Sequence, residues 1–377
     1  MNGSTILFNA TFIHENPTGL GVYTYQLLKN ILKLDINIVL TTYTNSTTLL
    51  REGLPPNIIP APNFLKPGGG FLKNLARIVW LQLSLPHHIR RRGLKVIYSP
   101  VPEGIFLPPK GLRQVITVHD LLPILFWEEY PRIRYYMKYL LPVLLDRSTR
   151  LISVSENTKR DIVRFFGIDE NKISVIYPGV DLDLFRPIGK AELNREEYTL
   201  GSYILFVGAM RRYKNIHRLI RAFGKLKIPE LKLLIVGARV GSYYQELLEE
   251  VKKEGVEKNI YFLDYVEEDM LVRLYNGAIA FVFPSLYEGF GLPLLEAMAC
   301  GCPVVASNRA SIPEVCGDVA LYFDPEDVED MATKIYNVVT NDQLRKRLSL
   351  AGIQRASNFS WEITARKTLN LLYSMLE

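Results

Sequence analysis

The sequence predicts an α/β protein built from two Rossmann-like domains with parallel sheets. A length of 377 residues is enough for two domains that each bury a core of their own. In both halves of the chain, apolar runs typical of strands alternate with helical patterns, which favours parallel sheets covered on both faces. A segment rich in proline and glycine separates the halves. We therefore predict an N-terminal domain over residues 1–180 and a C-terminal domain over residues 181–360.

The predicted strands and helices alternate along each half. In the first half the strands are Ser4–Phe12, Ile36–Thr42, Val96–Ser99, Arg113–Val118, Arg150–Val154 and Ile173–Ile176, with helices over Val22–Leu32 and Ile133–Leu145. In the second half the strands are Tyr203–Val207, Lys232–Val236, Ile260–Phe262, Ala278–Phe283 and Pro303–Ala306, with helices over Ile216–Leu226, Tyr243–Lys253, Asp269–Gly277 and Pro293–Cys300. This order is typical of a doubly wound parallel sheet in each half.

The boundary between the domains is placed in the segment Tyr177–Lys190. Its Pro178, Gly179, Pro187 and Gly189 interrupt both the strand and the helix periodicity. Segments of this composition are typical of the connections between domains, so we expect a hinge here.

Composition excludes several classes of protein. Hydrophobic residues make up 48% of the chain and charged residues 22%, as in a folded protein rather than a disordered one. The three cysteines, Cys300, Cys302 and Cys316, are too few and too close for a secreted disulfide framework, which favours a reducing compartment. Two thiols without a second pair or nearby histidines are typical of small buried side chains, so no metal site is assigned.

The N-terminus and the hydropathy pattern favour a cytoplasmic protein. The chain shows no charged region followed by an apolar core and a cleavage site, and Ser4–Phe12 has the length of a buried strand. No apolar stretch reaches the roughly 20 residues that a membrane-spanning helix needs. We expect a cytoplasmic location, with peripheral contact at the inner face of the cell membrane as an open alternative.

Part of the net charge of +6 is concentrated in residues 66–95. The basic residues of this stretch are Lys66, Lys73, Arg77, Arg90, Arg91, Arg92 and Lys95, and it contains no acidic residue. One interpretation is contact with an anionic membrane, through these cations and a helical face of Phe71, Leu72, Leu75, Ile78 and Val79. The other is a helix that packs this apolar face on the N-terminal sheet. No recognised nucleic-acid motif accompanies the charge, so we expect no nucleic-acid partner.

The most informative motif is a strand, a glycine turn and a helix. An apolar strand ends at Pro284, and the turn that follows contains Gly291. Pro293 suits the first position of a helix, where its missing N–H is not needed. The free N–H groups of Phe290, Gly291 and Leu292, together with the positive end of the helix dipole, predict a site for an anion such as a diphosphate.

Two glutamates flank this turn. Glu288 precedes it and would lie on the sugar side of a bound diphosphate, whereas Glu296, in the first turns of the helix, is placed to accept hydrogen bonds from ribose hydroxyls. We expect the two carboxylates to bind opposite ends of one ligand. The alternative is a pair of solvated surface acids on either side of an ordinary turn.

A second group of candidates follows the strand Tyr203–Val207. Gly208 ends this strand, and Lys214 comes after Arg211 and Arg212 in the next loop. Ligands of such α/β proteins bind at the carboxyl ends of the strands, where cations would offset the charge that develops on a diphosphate leaving group. Lys214 and one of the two arginines are therefore candidates, and the choice between the arginines stays open.

These motifs resemble the retaining glycosyltransferases of family 4, which have the GT-B fold of two Rossmann-like domains facing across a cleft. The two glutamates around Gly-Phe-Gly-Leu-Pro resemble the E-x7-E motif of that family. The other matching landmarks, in the order of the family, are Gly19-Leu20-Gly21, Thr117-Val118-His119-Asp120, Val154-Ser155-Glu156, Tyr177-Pro178-Gly179-Val180-Asp181, Val207-Gly208, Lys214-Asn215, Pro313-Glu314 and Phe359-Ser360-Trp361-Glu362. The closest resemblance is to enzymes that build surface polysaccharides, often with mannose.

The resemblance implies further roles. His119 would lie beside the transferred sugar and form a hydrogen bond with one of its hydroxyls. Gly19 and Gly21 would contact the donor phosphate or the acceptor through their backbone, and the nucleotide base would lie near Val266. The last helix, about residues 361–377, would pack back on the N-terminal domain.

The family arginine that directly follows the glycine is absent, because Ala209 stands there, and Arg211 is expected to supply its charge. The resulting catalytic set is His119, Glu288, Lys214 and Arg211. The donor-binding set is Gly208, Arg212, Phe290, Gly291, Leu292, Glu296 and Val266.

Two patterns that suggest other chemistry are set aside. Gly19-Leu20-Gly21 lacks the third glycine of a dinucleotide fingerprint, because Thr24 stands in its place. Asp181 and Asp183 have the spacing of a metal-binding pair known from a different glycosyltransferase fold, but they follow the hinge and lie far in sequence from the glutamates. We expect neither a cofactor nor a divalent ion.

The sequence therefore predicts a retaining glycosyltransferase. It would move a hexose, with mannose favoured, from a nucleoside-diphosphate sugar, with GDP-mannose favoured, to a glycan or lipid-linked acceptor. The alternatives are a non-catalytic carbohydrate-binding or assembly protein on a GT-B scaffold, a nucleotide-sugar epimerase, and a retaining glycoside hydrolase. The hydrolase would need two carboxylates on opposite sides of one glycosidic bond.

Overall fold

Parallel sheets flanked by helices form both halves of the chain, which confirms the predicted fold class. The structure is a computed structural model that describes residues 6–13, 19–34, 38–43, 57–66, 71–131, 133–189 and 201–377. The chain divides into two compact units, an N-terminal unit of Met1–Pro178 with Trp361–Glu377 and a C-terminal unit of Gly179–Ser360. The division falls two residues before the boundary placed from the sequence.

The N-terminal unit contains a seven-stranded parallel sheet with strand order β3-β2-β1-β4-β5-β6-β7. Its strands are β1 (Ile6–Asn9), β2 (Val39–Tyr43), β3 (Ile58–Ala61), β4 (Val96–Ser99), β5 (Arg113–Val118), β6 (Arg150–Ser153) and β7 (Ile173–Val175). The helices of this part of the chain are α1 (Gly19–Leu32), α2 (Phe71–Arg92), α3 (Leu122–Leu125), α4 (Leu141–Arg147) and α5 (Glu156–Phe166). A π-helical turn, Tyr136–Leu140, leads directly into α4.

The C-terminal unit contains a six-stranded parallel sheet with strand order β10-β9-β8-β11-β12-β13. Its strands are β8 (Tyr203–Val207), β9 (Lys232–Val236), β10 (Ile260–Leu263), β11 (Ala280–Phe283), β12 (Val304–Ser307) and β13 (Leu321–Phe323). The helices are α6 (Ile216–Leu226), α7 (Tyr243–Glu254), α8 (Glu268–Gly277), α9 (Leu292–Ala299), α10 (Ile312–Cys316), α11 (Val328–Thr340) and α12 (Asp342–Ala356).

The last helix, α13 (Trp361–Tyr373), belongs to the N-terminal unit, as the family resemblance implied. The Trp361 ring packs edge-on against Tyr23 of α1, with their centroids 5.4 Å apart. The Thr364 hydroxyl donates a 2.8 Å hydrogen bond to the carbonyl of Tyr177. The first contact attaches α13 to the first helix, and the second attaches it to the segment that follows β7.

Two helical segments cover the same face of the N-terminal sheet. In the β4–β5 ladder Ser99 pairs with Ile116, so Ile97 and Ile116 point to one face. Ile97 packs with Leu81 and Leu85 of α2, and Ile116 packs with Met137 and Leu141 of the following helical segment. The core on this face also contains Ile89, Leu144, Leu145 and Leu151.

Several boundaries differ from the predicted ones. The short strand β3 was not predicted, because Pro60 interrupts its pattern; as an edge strand it tolerates the proline. The edge strand β13 was also missed. Gly19 and Gly21 were predicted to lie in a loop, which is wrong, since both belong to the first turn of α1. The end of the predicted hinge at Lys190 lies outside the described residues.

Among the described residues, no helix is both long enough and apolar enough to cross a membrane.

Candidate active site

The candidate site in the C-terminal unit lies at the carboxyl edge of its sheet, where two strands end in glycine. Gly208 follows β8 and Gly237 follows β9, and the backbone of Gly208 lies so close to Gly237 that a Cβ on Gly237 would be 2.2 Å from the Gly208 carbonyl oxygen. Gly237 also has a φ of +143°, which favours glycine. The two loops therefore approach each other this closely only because Gly237 carries no side chain.

Lys214 and Glu288 form a buried ion pair at this edge. The Nζ atom of Lys214 lies 2.6 Å from Oε1 of Glu288, and each side chain is only 10% exposed. The same Nζ lies 5.1 Å from the centroid of the Phe283 ring, at the end of β11. A Cβ on Gly208, at the end of β8, would be 3.6 Å from the Nζ of Lys214. The Lys214 ammonium thus lies close to the ends of both β8 and β11.

The glycine turn leads into α9 as the sequence predicted. Gly291 caps the helix with a φ of +108°, and a Cβ there would collide with Leu294 at 2.8 Å. The Ser311 hydroxyl lies 2.9 Å from the carbonyl oxygen of Glu288 and 2.9 Å from that of Phe290. Ser311 therefore fixes the backbone on both sides of Gly289, and with it the turn that begins the helix.

Glu296 lies on α9 and is paired with a tyrosine. The hydroxyl of the fully buried Tyr275 donates a 2.9 Å hydrogen bond to Oε2 of Glu296. Burial raises the pKa of Glu296 from 4.5 to about 7, against the lowering effect of that hydrogen bond. The carboxyl group is consequently close to half-protonated at neutral pH.

The two arginines differ in their surroundings. Arg212 forms an ion pair with Glu246 of α7, and its guanidinium carbon lies 5.3 Å from the centroid of the Tyr243 ring. Arg211 precedes the short helical turn Arg212–Lys214, and its carbonyl accepts a hydrogen bond from the backbone N–H of Lys214. Arg212 is thus bound to α7, whereas Arg211 stays at the start of the turn that presents Lys214.

Asn215 connects the cation loop to the strand ends. It adopts a left-handed conformation with φ +60°, and its side-chain amide donates to the carbonyls of Pro284, at 3.1 Å, and Pro325, at 2.7 Å. These bonds tie Lys214 to the loop that carries Glu288. Sequence analysis quoted Asn215 in a motif but gave it no role, and it missed Ser311 and Tyr275.

His119 lies in the N-terminal unit, directly after β5. Its Nε2 is 2.7 Å from the carbonyl oxygen of Pro100, and its ring meets the Tyr23 ring edge-on at a centroid distance of 4.5 Å. Burial lowers the pKa of His119 from 6.5 to about 4, so the imidazole is neutral at physiological pH. Since a carbonyl only accepts, Nε2 carries the proton and Nδ1 is left as an acceptor.

The remaining predicted residues are distributed between the units. Gly19 and Gly21 begin α1, the helix that carries Tyr23 to the His119 ring. Val266 follows β10 at the carboxyl edge of the C-terminal sheet, two residues after Asp264, whose carboxylate pairs with Arg239 at 3.0 Å.

Of Asp181 and Asp183, the first uses its side chain to bind the backbone that follows it. Oδ1 of Asp181 accepts hydrogen bonds from the backbone N–H groups of Asp183, at 3.2 Å, and Leu184, at 3.3 Å. This is the geometry of an aspartate that closes a turn. In the part of the chain that the structure describes, no three histidine, cysteine, aspartate or glutamate side chains are grouped as metal ligands.

Comparison with known proteins identifies the family of the chain. The family model for glycosyl transferases group 1 matches residues 193–355, and the model for glycosyltransferase family 4 matches residues 17–184. The chain is 34% identical over 276 residues to the O-antigen chain mannosyltransferase B of Escherichia coli, covering 71% of this chain and 72% of that one. It is 28% identical over 337 residues to the O-antigen chain mannosyltransferase RfbU of Salmonella typhimurium, covering 88% and 90%.

A solved structure of similar architecture is that of HepE from Anabaena in complex with UDP and glucose. It aligns with a TM-score of 0.77 at 18% identity, over 98% of this chain and 100% of that one. The fold and these matches together define a glycosyltransferase of the GT-B class. The chain belongs to glycosyltransferase family 4.

Proposed function

We propose that the chain transfers a hexose, with mannose favoured, from a nucleoside-diphosphate sugar to a glycan or lipid-linked acceptor, with retention of configuration. GDP-mannose is the favoured donor. The observation that carries the proposal is the Lys214–Glu288 pair at the start of α9, because it puts a cation, a carboxylate and a helix N-terminus at one strand edge. The O-antigen mannosyltransferases among the relatives support mannose.

In this proposal the cations serve the leaving group. The bond between the sugar C1 and the diphosphate oxygen breaks, and the diphosphate leaves with the bonding electrons and gains the negative charge. The bond from C1 to the acceptor oxygen forms, and the acceptor hydroxyl loses its proton to water. Lys214, Arg211 and the N-terminus of α9 stabilise that charge. We favour Arg211 over Arg212, because Arg211 directly precedes the short helical turn that presents Lys214.

The carboxylates and the histidine position the donor. Glu288 and the backbone of Phe290 and Gly291 bind the sugar, and Glu296 accepts hydrogen bonds from the ribose. His119, neutral and with Nδ1 available as an acceptor, binds a sugar hydroxyl rather than acting as a general base. The proposed reaction uses no cofactor and no divalent ion, so turnover in EDTA should equal turnover in added Mg²⁺.

The test begins with donor binding. Thermal shift is measured with GDP, UDP, ADP and their mannose, glucose, galactose and N-acetylglucosamine conjugates, with Glu296→Ala as the paired variant. A stabilisation by one nucleotide that the variant loses supports both the donor class and the ribose contact. Transfer is then followed as nucleotide release in the presence of acceptor; free sugar or an epimerised nucleotide sugar as the product would refute transfer.

The acceptor proposal includes peripheral contact of residues 66–95 with an anionic membrane at the inner face of the cell membrane. The interpretation that the apolar face with Leu75 and Val79 packs on the sheet is wrong, because these side chains are 46% and 47% exposed. A different face of α2, with Leu81 and Leu85, packs on the sheet instead. Arg77 does not contribute to the outer charge as predicted, because it is buried and paired with Glu103 at 2.6 Å.

A further inference from the structure

An exposed group of apolar and aromatic side chains covers the segment that follows α3. We call it the aromatic face, and its members with their exposed fractions are Trp127 56%, Ile133 46%, Tyr135 57%, Tyr139 59%, Leu140 41% and Val143 45%. Scattered exposed apolar residues are common in proteins, but a contiguous group of large ones marks an interaction surface. Sequence analysis predicted a helix over this segment and did not detect the face.

The segment that carries the aromatic face already has a separate buried side. The same segment buries Met137, Leu141, Leu144 and Leu145 against strands β5 to β7. Met137 and Tyr139 are two residues apart in a helical segment and thus point in nearly opposite directions. The segment is anchored by its inner side, and the aromatic face points away from the sheet.

The outer side of α2 points the same way. Its exposed apolar residues Leu75, Val79 and Leu83 recur every fourth position, on the side opposite the core residues Leu81 and Leu85. Since both segments cover one face of the sheet, their outward sides share a direction. Beside α2, the exposed side chains border an apolar groove of about 390 Å³.

The loop between β4 and β5 forms hydrogen bonds with both segments. The Gln82 amide of α2 donates a 2.9 Å hydrogen bond to the carbonyl of Gly104, and the Tyr136 hydroxyl donates a 2.7 Å bond to the carbonyl of Pro102. Leu107, near the middle of this loop, is 77% exposed. The aromatic face, the loop tip and the outer side of α2 therefore form neighbouring parts of one surface.

The charges on this surface match an anionic lipid interface. The Arg134 guanidinium carbon lies 4.9 Å from the ring centroids of both Trp127 and Tyr135, and the Lys138 ammonium lies 5.3 Å from that of Tyr139. Tryptophan and tyrosine with adjacent cations are the residues that prefer the headgroup level of a bilayer. The nearby acidic residues Glu128, Glu129 and Asp146 offset part of this charge, and the acid-free stretch 66–95 supplies the excess.

We propose that the aromatic face inserts into the headgroup region of an anionic bilayer, beside the outer side of α2. The inference rests on the proposed function, since a lipid-linked acceptor is presented at a membrane. The aromatic side chains provide insertion, and the cations of residues 66–95 provide the preference for anionic lipid. A second copy of the chain on this face is the competing occupant.

The test uses the full chain and vesicles of equal parts phosphatidylcholine and phosphatidylglycerol at low salt, with phosphatidylcholine vesicles for comparison. Binding is measured by flotation, and tryptophan depth by quenching with brominated lipid. We expect flotation with the anionic vesicles and quenching that is largely lost in Trp127→Phe. The Tyr139→Ser/Val143→Ser variant should partition at least about tenfold more weakly.

Matched controls come from the other unit. Tyr336 and Leu350 are 49% and 71% exposed, so Tyr336→Ser/Leu350→Ser removes comparable exposed apolar surface and should float like the wild type. The proposal would be overturned if both double variants floated equally, or if Trp127 were not quenched. It would also be overturned if the wild type formed a dimer that Tyr139→Ser/Val143→Ser dissociates and the control variant does not. The nucleotide thermal shift should be the same in both double variants. If the wild type floats with the anionic vesicles but shows no thermal shift with any nucleotide, the donor assignment is refuted and the membrane inference still stands.

Discussion

The ammonium nitrogen of Lys214 lies 2.6 Å from Oε1 of Glu288, in an ion pair that connects two loops 74 residues apart in sequence. Sequence analysis gave the two side chains separate tasks, one at the diphosphate and one at the sugar. Their contact makes them one electrostatic unit, in which each charge compensates the burial of the other. A variant that removes one partner therefore changes both the chemistry and the fold.

Replacing Lys214 alone should destabilise the protein. Lys214→Met leaves the Glu288 carboxylate buried without its cation, a loss we expect to cost about 3–5 kcal/mol in the free energy of unfolding. The double variant Lys214→Met/Glu288→Gln removes both charges and should recover most of that stability without recovering transfer. Urea unfolding and nucleotide release measure the two effects. Near-normal turnover in the double variant would remove both residues from the mechanism.

Replacing Ser311 should separate positioning from binding chemistry. The Ser311→Ala variant leaves the carbonyls of Glu288 and Phe290 without their hydroxyl donor, at a cost of about 1–3 kcal/mol in the free energy of unfolding. Since the carbonyls flank the glycine turn, we also expect a lower kcat. Ser307→Ala, at a fully buried serine at the end of β12, four residues before Ser311, is the matched control. An equal kcat in the two variants would contradict a positioning role for Ser311.

The parts of the fold that the sequence predicted best are those fixed by local pattern. The bounds of β8, β9 and α6 agree with the prediction at both ends, because buried parallel strands are continuous apolar runs and an amphipathic helix has a clear period. Segment 133–145 was predicted as one helix, yet the π-helical turn Tyr136–Leu140 interrupts it. Because large apolar side chains lie on both the buried and the exposed side of this segment, its hydrophobic period does not show where the α-helix becomes a π-helical turn.

Contacts that depend on tertiary structure could not be predicted in the same way. Ser311 is 23 residues from Glu288, and Tyr275 is 21 residues from Glu296. Ser311 and Glu288 meet because parallel strands bring successive loops to one edge of the sheet. Tyr275 and Glu296 meet because the helices α8 and α9 pack beside each other. The sequence indicated which residue types stand at that edge, and the fold decides which of them touch.

Glu296 should give the protein a stability that falls as pH rises. Its pKa is raised by burial from 4.5 to about 7, so the folded state holds a proton that the unfolded state has released across this window. The stabilising effect is complete below pH 4.5 and is lost as pH rises through 7, by about 3 kcal/mol at most. Glu296→Gln should remove this slope, measured by urea unfolding at several pH values. An unchanged slope in the variant would show that Glu296 titrates normally.

GDP affinity should change with the same ionisation. Ribose hydroxyls donate to an ionised carboxylate more strongly than to a neutral one. Binding to the wild type should therefore tighten between pH 6 and 8, about three- to tenfold, relative to Glu296→Gln at each pH. Calorimetric titration of both proteins in matched buffers measures this ratio, and a ratio independent of pH would contradict the ribose contact.

His119 should affect stability with the opposite sign and activity through Nδ1. Burial lowers the pKa of His119 from 6.5 to about 4, so the unfolded state binds a proton at a higher pH than the folded state does. The free energy of unfolding therefore falls as pH falls from 6.5 to 4, by about 3 kcal/mol at most. This window overlaps that of Glu296, so the two slopes partly cancel in the wild type and only the single variants separate them. Burial also lowers the pKa of His217 to about 4, and His119→Asn should retain that part of the slope.

The activity of the His119 variants tests the assigned proton position. Because Nε2 donates to Pro100, only Nδ1 is left to accept from a sugar hydroxyl. Asparagine keeps an acceptor near Nδ1, whereas alanine keeps none. We expect kcat to fall about 10²–10³-fold in His119→Ala and less in His119→Asn, with transfer by the wild type independent of His119 ionisation between pH 5.5 and 7.5. Equal losses in the two variants would show that the ring acts through packing on Tyr23 instead, since neither side chain replaces the imidazole against that ring.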